Sequence, residues 1–229
     1  MSGTVVLCGS LGSTSAMWEP QLPALQGRRV VTVEYPGHGG APVTDVRAVD
    51  DLAARALEEA GADTFSFVGL SLGGAVGMRL ALDAPDRVER LVLACTAARF
   101  GEPEAWYERA ATVREHGLAA IADAVLARWF TPGYGDVGRF REMFLSVDAE
   151  GYARCCEALA RWDVRDELAA IAAPTLVVAG ADDPSTPPAT VEVVAAAVPG
   201  ARFEVVAGAA HLVNVERADE FNRLLEEHL

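Results

Sequence analysis

Short runs of Val, Leu, Ile and Thr fall at residues 4–8, 28–34, 64–70, 88–95, 175–179 and 202–206. Bursts of this length and composition predict β-strands. Most are continuously apolar rather than alternating, the pattern of parallel strands covered on both faces. Between them, helical spacing of apolar residues predicts helices near residues 46–60, 72–84, 189–198 and 216–228. Pro85 closes the second of these and Pro199-Gly200 the third, as helix stop signals do. Alternation of strand and helix predicts an α/β protein built on a mostly parallel, doubly wound sheet.

Residues 102–168 break that alternation, showing helical periodicity with no strand and three of the four tryptophans, Trp106, Trp129 and Trp162. The strand pattern resumes at Thr175, so the segment reads as a helical cap inserted into a core of residues 1–101 and 169–229. A length of 229 residues suits one such core.

Composition changes the picture mainly by exclusion. The formal net charge is −14, and all 19 basic residues are arginines. With no basic stripe along the chain, nucleic acid is not an expected partner. No apolar run is long enough to span a bilayer, so no membrane association is expected. The Met-Ser-Gly-Thr start lacks the basic and apolar stretches of a secretion signal, which places the protein in the cytoplasm as an expectation. Cys8, Cys95, Cys155 and Cys156 show no metal-ligand spacing and are expected to be reduced, buried thiols.

Candidate chemistry centres on Gly69-Leu70-Ser71-Leu72-Gly73, set between an apolar strand and a helix. A tight strand-to-helix turn of this kind holds a serine in a strained conformation that exposes its hydroxyl. Ser71 is therefore the expected nucleophile. His211 follows the last strand, at the rim where parallel sheets place their chemistry, and is the expected general base. His38, in Pro36-Gly37-His38-Gly39, reads as a turn residue whose ring bonds local backbone. The acid that orients the imidazole is expected after the strand at 175–179, where Asp182 and Asp183 are adjacent; Gly-x-x-Asp spacing favours Asp183. The chain order Ser, Asp, His is that of Gly-x-Ser-x-Gly hydrolases. Backbone N–H groups of Leu72, at a helix N-terminus, and Leu11, in the small-residue loop after the first strand, are the expected oxyanion donors.

Beyond these motifs the chain resembles 3-oxoadipate enol-lactonases, which have the α/β-hydrolase fold. The resemblance is carried by Gly9-Ser10-Leu11-Gly12, Met17-Trp18-Glu19-Pro20-Gln21-Leu22-Pro23, Gly37-His38-Gly39-Gly40 and the serine turn. It continues through Glu104-Ala105-Trp106, Ala127-Arg128-Trp129-Phe130-Thr131-Pro132, Glu150-Gly151-Tyr152-Ala153-Arg154-Cys155-Cys156-Glu157-Ala158, Ala179-Gly180-Ala181-Asp182-Asp183-Pro184 and Ala210-His211-Leu212-Val213-Asn214-Val215-Glu216. Matches inside residues 102–168 weigh most, because the serine turn alone is common to many esterases. The resemblance implies hydrolysis of a small anionic enol-lactone to 3-oxoadipate, in aromatic catabolism, with no metal or organic cofactor. It also implies a cation for the substrate carboxylate: Arg128 first, Arg99 second, with Trp129 walling the pocket. Arginines paired with carboxylates on an acidic surface are the plainer reading of both.

Two departures stand out. Relatives of this kind carry an N-terminal β-hairpin ahead of the first strand read here; none is expected in this sequence, so residues 30–34 are expected to form an edge that invites pairing with another subunit. A homo-oligomer is therefore an expectation. Where relatives commonly have Asp-x-Arg-Gly-His-Gly, this chain has Glu34-Tyr35-Pro36-Gly37-His38-Gly39. A carboxylesterase, a haloperoxidase-like enzyme or a carbon–carbon bond hydrolase would share the same fold and triad, and a catalytically silent ligand-binding protein is the alternative from another class.

Overall fold

The computed structural model describes residues 3–229. Six strands, β1 (Thr4–Cys8), β2 (Arg29–Val33), β3 (Phe65–Leu70), β4 (Val88–Ala94), β5 (Thr175–Gly180) and β6 (Arg202–Val206), form one sheet in the order β2-β1-β3-β4-β5-β6. Every neighbouring pair is parallel. All residues of β3 and β5 are buried, as continuous apolar runs covered on both faces require. The edges β2 and β6 are more exposed.

Helices α1 (Val49–Ala60) and α2 (Leu72–Asp83) follow β2 and β3. Between β4 and β5 lie α3 (Pro103–His116), α4 (Ala122–Trp129), α5 (Val137–Leu145) and α6 (Ala149–Ala160). The segment leaves and re-enters the core at one neck, where Arg99 and Asp163 form an antiparallel bridge and the Val164 N–H donates to the Ala98 carbonyl at 3.0 Å. Trp162 closes the neck, its indole N–H on the Ala97 carbonyl at 3.0 Å. After β5 come α7 (Pro188–Ala197), then, beyond β6, the short α8 (Val213–Glu216) and α9 (Ala218–His228).

A 3-10 segment at Ser15–Gln21 has no counterpart in the pattern-based reading. Seven residues with a proline among them are too few to register as helical periodicity, yet Met17 and Trp18 are fully buried, Trp18 against Phe221 of α9. This segment is fastened to the chain before α9. Asn214 donates to the Met17 carbonyl at 2.9 Å and to Gln21 Oε1 at 3.0 Å, and Gln21 Nε2 donates back to the Asn214 carbonyl at 2.8 Å. The loops after β1 and β6 are thereby joined side by side.

All four cysteines are buried free thiols. Burial pushes the Cys8 thiol up to about 12. No described helix is long and apolar enough to cross a membrane.

Candidate active site

The turn between β3 and α2 is forced by its glycines. A Cβ at Gly69 would stand 2.1 Å from the Gly73 carbonyl oxygen, and one at Gly73 would stand 1.9 Å from the Cys8 carbonyl oxygen. Only hydrogen lets α2 begin so close to β1 and β3. The residue between them, Ser71, takes φ 59° and ψ −112°, a conformation rarely tolerated by a side-chain-bearing residue. Strain of this kind costs on the order of 1–3 kcal/mol and persists only where neighbours hold it. They do: the Ser71 N–H donates to the Ala94 carbonyl at 2.8 Å, and Thr96 Oγ1 donates to the Ser71 carbonyl at 2.7 Å.

His211 and Asp183 arrive from the loops after β6 and β5. Both are almost fully buried, and His211 Nδ1 lies 2.7 Å from Asp183 Oδ2. A carboxylate oxygen can only accept, so Nδ1 carries the proton and Nε2 is left as the acceptor. Asp183 is also held by the Ser185 N–H at 2.7 Å and Thr186 Oγ1 at 2.6 Å. Burial alone would raise its carboxyl, but His211, Thr186 and Ser185 outweigh it and hold the group below the usual range. Asp182, by contrast, is exposed, and its side chain has no partner at the site.

Ser71 and His211 line one cavity of about 550 Å³ beneath the β4–β5 insertion. A hydrogen bond between them is not formed here; contacts between a nucleophile and its base commonly tighten only when substrate binds. Beside the pair, Cys95 Sγ lies within 4.8 Å of Asp183 and His211 donor atoms. Burial, and then the Asp183 charge, raise that thiol well above its ordinary value. A protonated thiol is a poor metal ligand, and His211 Nδ1 is already committed to Asp183.

Leu11 borders the same cavity, and Leu72 is the first residue of α2. Among the described residues, neither N–H is taken up by a protein acceptor. The adjoining groups are spoken for: the Gly12 N–H donates to His38 Nε2 at 3.2 Å, and the Gly73 N–H donates to the Gly9 carbonyl at 3.0 Å. His38 Nδ1 lies 3.1 Å from the Pro36 carbonyl, so its ring does bond local backbone, but its other nitrogen holds the loop carrying Leu11.

Of the arginines favoured from sequence, Arg99 faces the cavity already paired with Glu102 at 2.8 Å. Arg128 borders the cavity but is exposed. Trp129 both walls the cavity and packs edge-on against Phe144, so its two readings are compatible. Sequence reasoning missed Arg109, a third arginine on the cavity wall, whose place in a charge-rich helix resembles any solvated face. It gave Glu216, the last residue of the C-terminal motif shared with the resembled family, no role. That carboxylate accepts the Ala210 N–H beside His211 at 2.8 Å and the Thr131 N–H at 2.8 Å, and it accepts the Thr131 hydroxyl as well. The Leu212 N–H adds a bond to the Trp129 carbonyl at 3.0 Å, so the segment over the cavity is tied to the loop bearing the imidazole.

A family profile described as alpha/beta hydrolase fold matches residues 3–218. The chain belongs to the alpha/beta hydrolase fold family. Within it, the chain is 37% identical to the 3-oxoadipate enol-lactonase 2 of Acinetobacter baylyi, over 97% of this chain and 86% of that protein. Among solved structures it is similar to the enol-lactonase from Burkholderia xenovorans LB400, with TM-score 0.95 and 38% identity over 99% of this chain and 91% of that one. It is also similar to a thermophilic esterase from Thermogutta terrifontis in a malate-bound structure, with TM-score 0.90 and 29% identity over 99% of this chain and 90% of that one.

Proposed function

We propose that this α/β-hydrolase opens 3-oxoadipate enol-lactone to 3-oxoadipate by serine catalysis. The observation that carries the proposal is the buried His211–Asp183 pair, 2.7 Å apart, whose imidazole lines the same cavity as a serine strained to φ 59°. Two enol-lactonases similar over nearly the whole chain support the substrate.

In this mechanism His211 Nε2 takes the Ser71 proton as the hydroxyl oxygen attacks the lactone carbonyl. The Leu11 and Leu72 N–H groups receive the oxyanion, both unused by acceptors among the described residues and so free for it. Collapse of the tetrahedral intermediate breaks the ring ester bond, and His211 returns the proton to the leaving enol oxygen. Water then adds to the acyl-enzyme with His211 again as base, and one water is consumed per lactone. Asp183 fixes the imidazole tautomer and stabilises its cationic form. Residues 102–168 act as the cap that shapes the pocket, with Trp129 as its wall and Arg128 at its mouth. Cytoplasmic location, and pairing of copies through the exposed β2 edge, complete the reading.

Loss of the enol-lactone's ultraviolet absorbance on addition of the protein, absent with Ser71→Ala, is the expected result. A second reading, a carboxylesterase for a small ester, is favoured by the similarity to the Thermogutta terrifontis esterase. Turnover of p-nitrophenyl acetate with none of the lactone would select it.

A further inference from the structure

The cavity has an electrostatic character opposite to that of the protein. Acids outnumber arginines 33 to 19 in the chain, yet three arginines and a single carboxylate, Glu102, line this pocket. Glu102 is taken by Arg99. The two arginines left over are not equivalent. Arg128 is exposed, where a guanidinium is well hydrated and screened. Arg109 is half-buried on α3, with no carboxylate within salt-bridge distance among the described residues. Its guanidinium carbon stands 4.8 Å from the centre of the Trp106 ring one helical turn away, which fixes the group against an apolar face.

On α6, the fully buried Tyr152 ring also borders the cavity, and its phenol lies under the Arg109 charge. Burial raises that phenol, and the nearby guanidinium pulls back against the rise, so the hydroxyl stays a neutral donor. The same ring abuts the oxyanion loop: a Cβ placed on Gly12 would be 3.1 Å from Tyr152 Cε2. Arg109 and the Tyr152 hydroxyl thus put donors alone, with no competing acid, one aromatic ring away from the site of attack.

We infer that Arg109, supported by the Tyr152 hydroxyl, is the subsite that binds the carboxylate of an anionic ester substrate, and that it sets selectivity for acids over neutral esters. The inference rests on the proposed ester hydrolysis at Ser71 and names the part of the substrate that the catalytic residues do not touch. A planar guanidinium with a free edge suits a carboxylate. Other half-buried arginines have their guanidinium groups taken up by protein acceptors, Arg79 and Arg99 by carboxylates and Arg87 by the Ala62 and Asp63 carbonyls.

The test uses adipate and its neutral dimethyl ester as competitive inhibitors of p-nitrophenyl acetate hydrolysis. Arg109→Gln should raise the inhibition constant of adipate about 10- to 100-fold, the loss of one charge-assisted contact, while that of dimethyl adipate changes far less. Arg109→Lys should fall between, and Tyr152→Phe should weaken adipate alone by a smaller factor. An equal rise for adipate and its diester would reduce Arg109 to a packing role and overturn the inference. So would an unchanged adipate constant in Arg109→Gln, or failure of adipate to compete in the unsubstituted protein. Should Arg109→Gln not fold, Arg109→Lys and Tyr152→Phe carry the same comparison. Adipate competition without lactone turnover would instead remove the lactone assignment and leave the subsite standing.

Discussion

His38 accepts the Gly12 N–H at 3.2 Å while its other ring nitrogen faces the Pro36 carbonyl, so one buried imidazole spans the turn after β2 and the loop after β1. The Pro36 oxygen can only accept, which assigns the proton to Nδ1 and leaves the ring neutral. His38 touches no substrate in the proposed mechanism; it positions the loop that presents the Leu11 N–H.

Removing that acceptor should therefore slow the reaction rather than weaken binding. His38→Ala leaves the Gly12 N–H buried and unpaired, at a cost of about 1–3 kcal/mol. Steady-state kinetics should show kcat lowered by roughly 10- to 100-fold with a smaller change in KM. His38→Gln, which keeps an acceptor, should recover part of the loss. An unchanged kcat in His38→Ala would mean that the Gly9 contacts to Gly73 and Tyr35 hold the loop unaided.

The same histidine predicts how stability responds to acid. Burial lowers its pKa from 6.5 to about 4, outweighing the Pro36 bond and the Asp148 charge that favour the proton. The unfolded chain thus binds a proton at higher pH than the folded protein does. Its contribution is neutral above 6.5, becomes destabilising as pH falls from 6.5 towards 4, and levels off below; full development amounts to roughly 3 kcal/mol. Urea unfolding across this window should show a shallower decline for His38→Gln than for the parent chain.

Asp182 and Asp183 are neighbours with different prospects. Asp183→Asn keeps the shape but supplies His211 Nδ1 with an amide that can favour the wrong tautomer, and kcat should drop by about 10³- to 10⁴-fold. Asp182→Asn, at an exposed side chain, should leave kcat nearly unchanged. The reverse order would transfer the acid's role to residue 182.

Gly73→Ala tests the geometry of the serine turn. The new methyl would lie 1.9 Å from the Cys8 carbonyl oxygen, so either α2 or β1 must move. A loss of about 3 kcal/mol or more is expected from thermal or urea unfolding, as for severe overpacking of a core. Full stability with full activity would show the turn to be far looser than its contacts suggest.

Glu216→Ala should reveal how the cap is held. It strips an acceptor from the Ala210 and Thr131 amides and from the Thr131 hydroxyl, for an expected loss of about 2 kcal/mol. Hydrogen exchange should rise in residues 130–134 and 209–212 together. Faster exchange confined to one of these segments would argue that they move independently.

What was legible in the sequence followed from strong local signals. The strands of the parallel sheet are largely buried, so their apolar runs stand out, and all six keep their ends to within one residue. Ser71 is announced by glycines whose absence of Cβ is a local requirement. Asp183 could be preferred over Asp182 only by spacing, because which of two adjacent carboxylates turns inward is decided by partners in other loops, His211 and Thr186 among them. Arg109 and Glu216 were illegible for the same reason. Arg109 lies in a helix of ordinary polar composition and Glu216 in one of only four residues, and Tyr152 and Thr131, which give them meaning, stand tens of positions away. The role of His38 was half visible: the local bond to Pro36 follows from the turn, but the bond to Gly12 crosses between strands.

The clasp of Met17, Gln21 and Asn214 joins stretches of chain 193 and 197 positions apart. Contacts with so wide a separation are entropically late events in folding. Leu11 precedes one side of the clasp and His211 the other, so the N–H offered to the oxyanion and the imidazole that takes the Ser71 proton come into register only when residues 17–21 and 214 have met. Hydrolytic competence is therefore expected late in folding, and refolding followed by activity should lag refolding followed by far-ultraviolet circular dichroism.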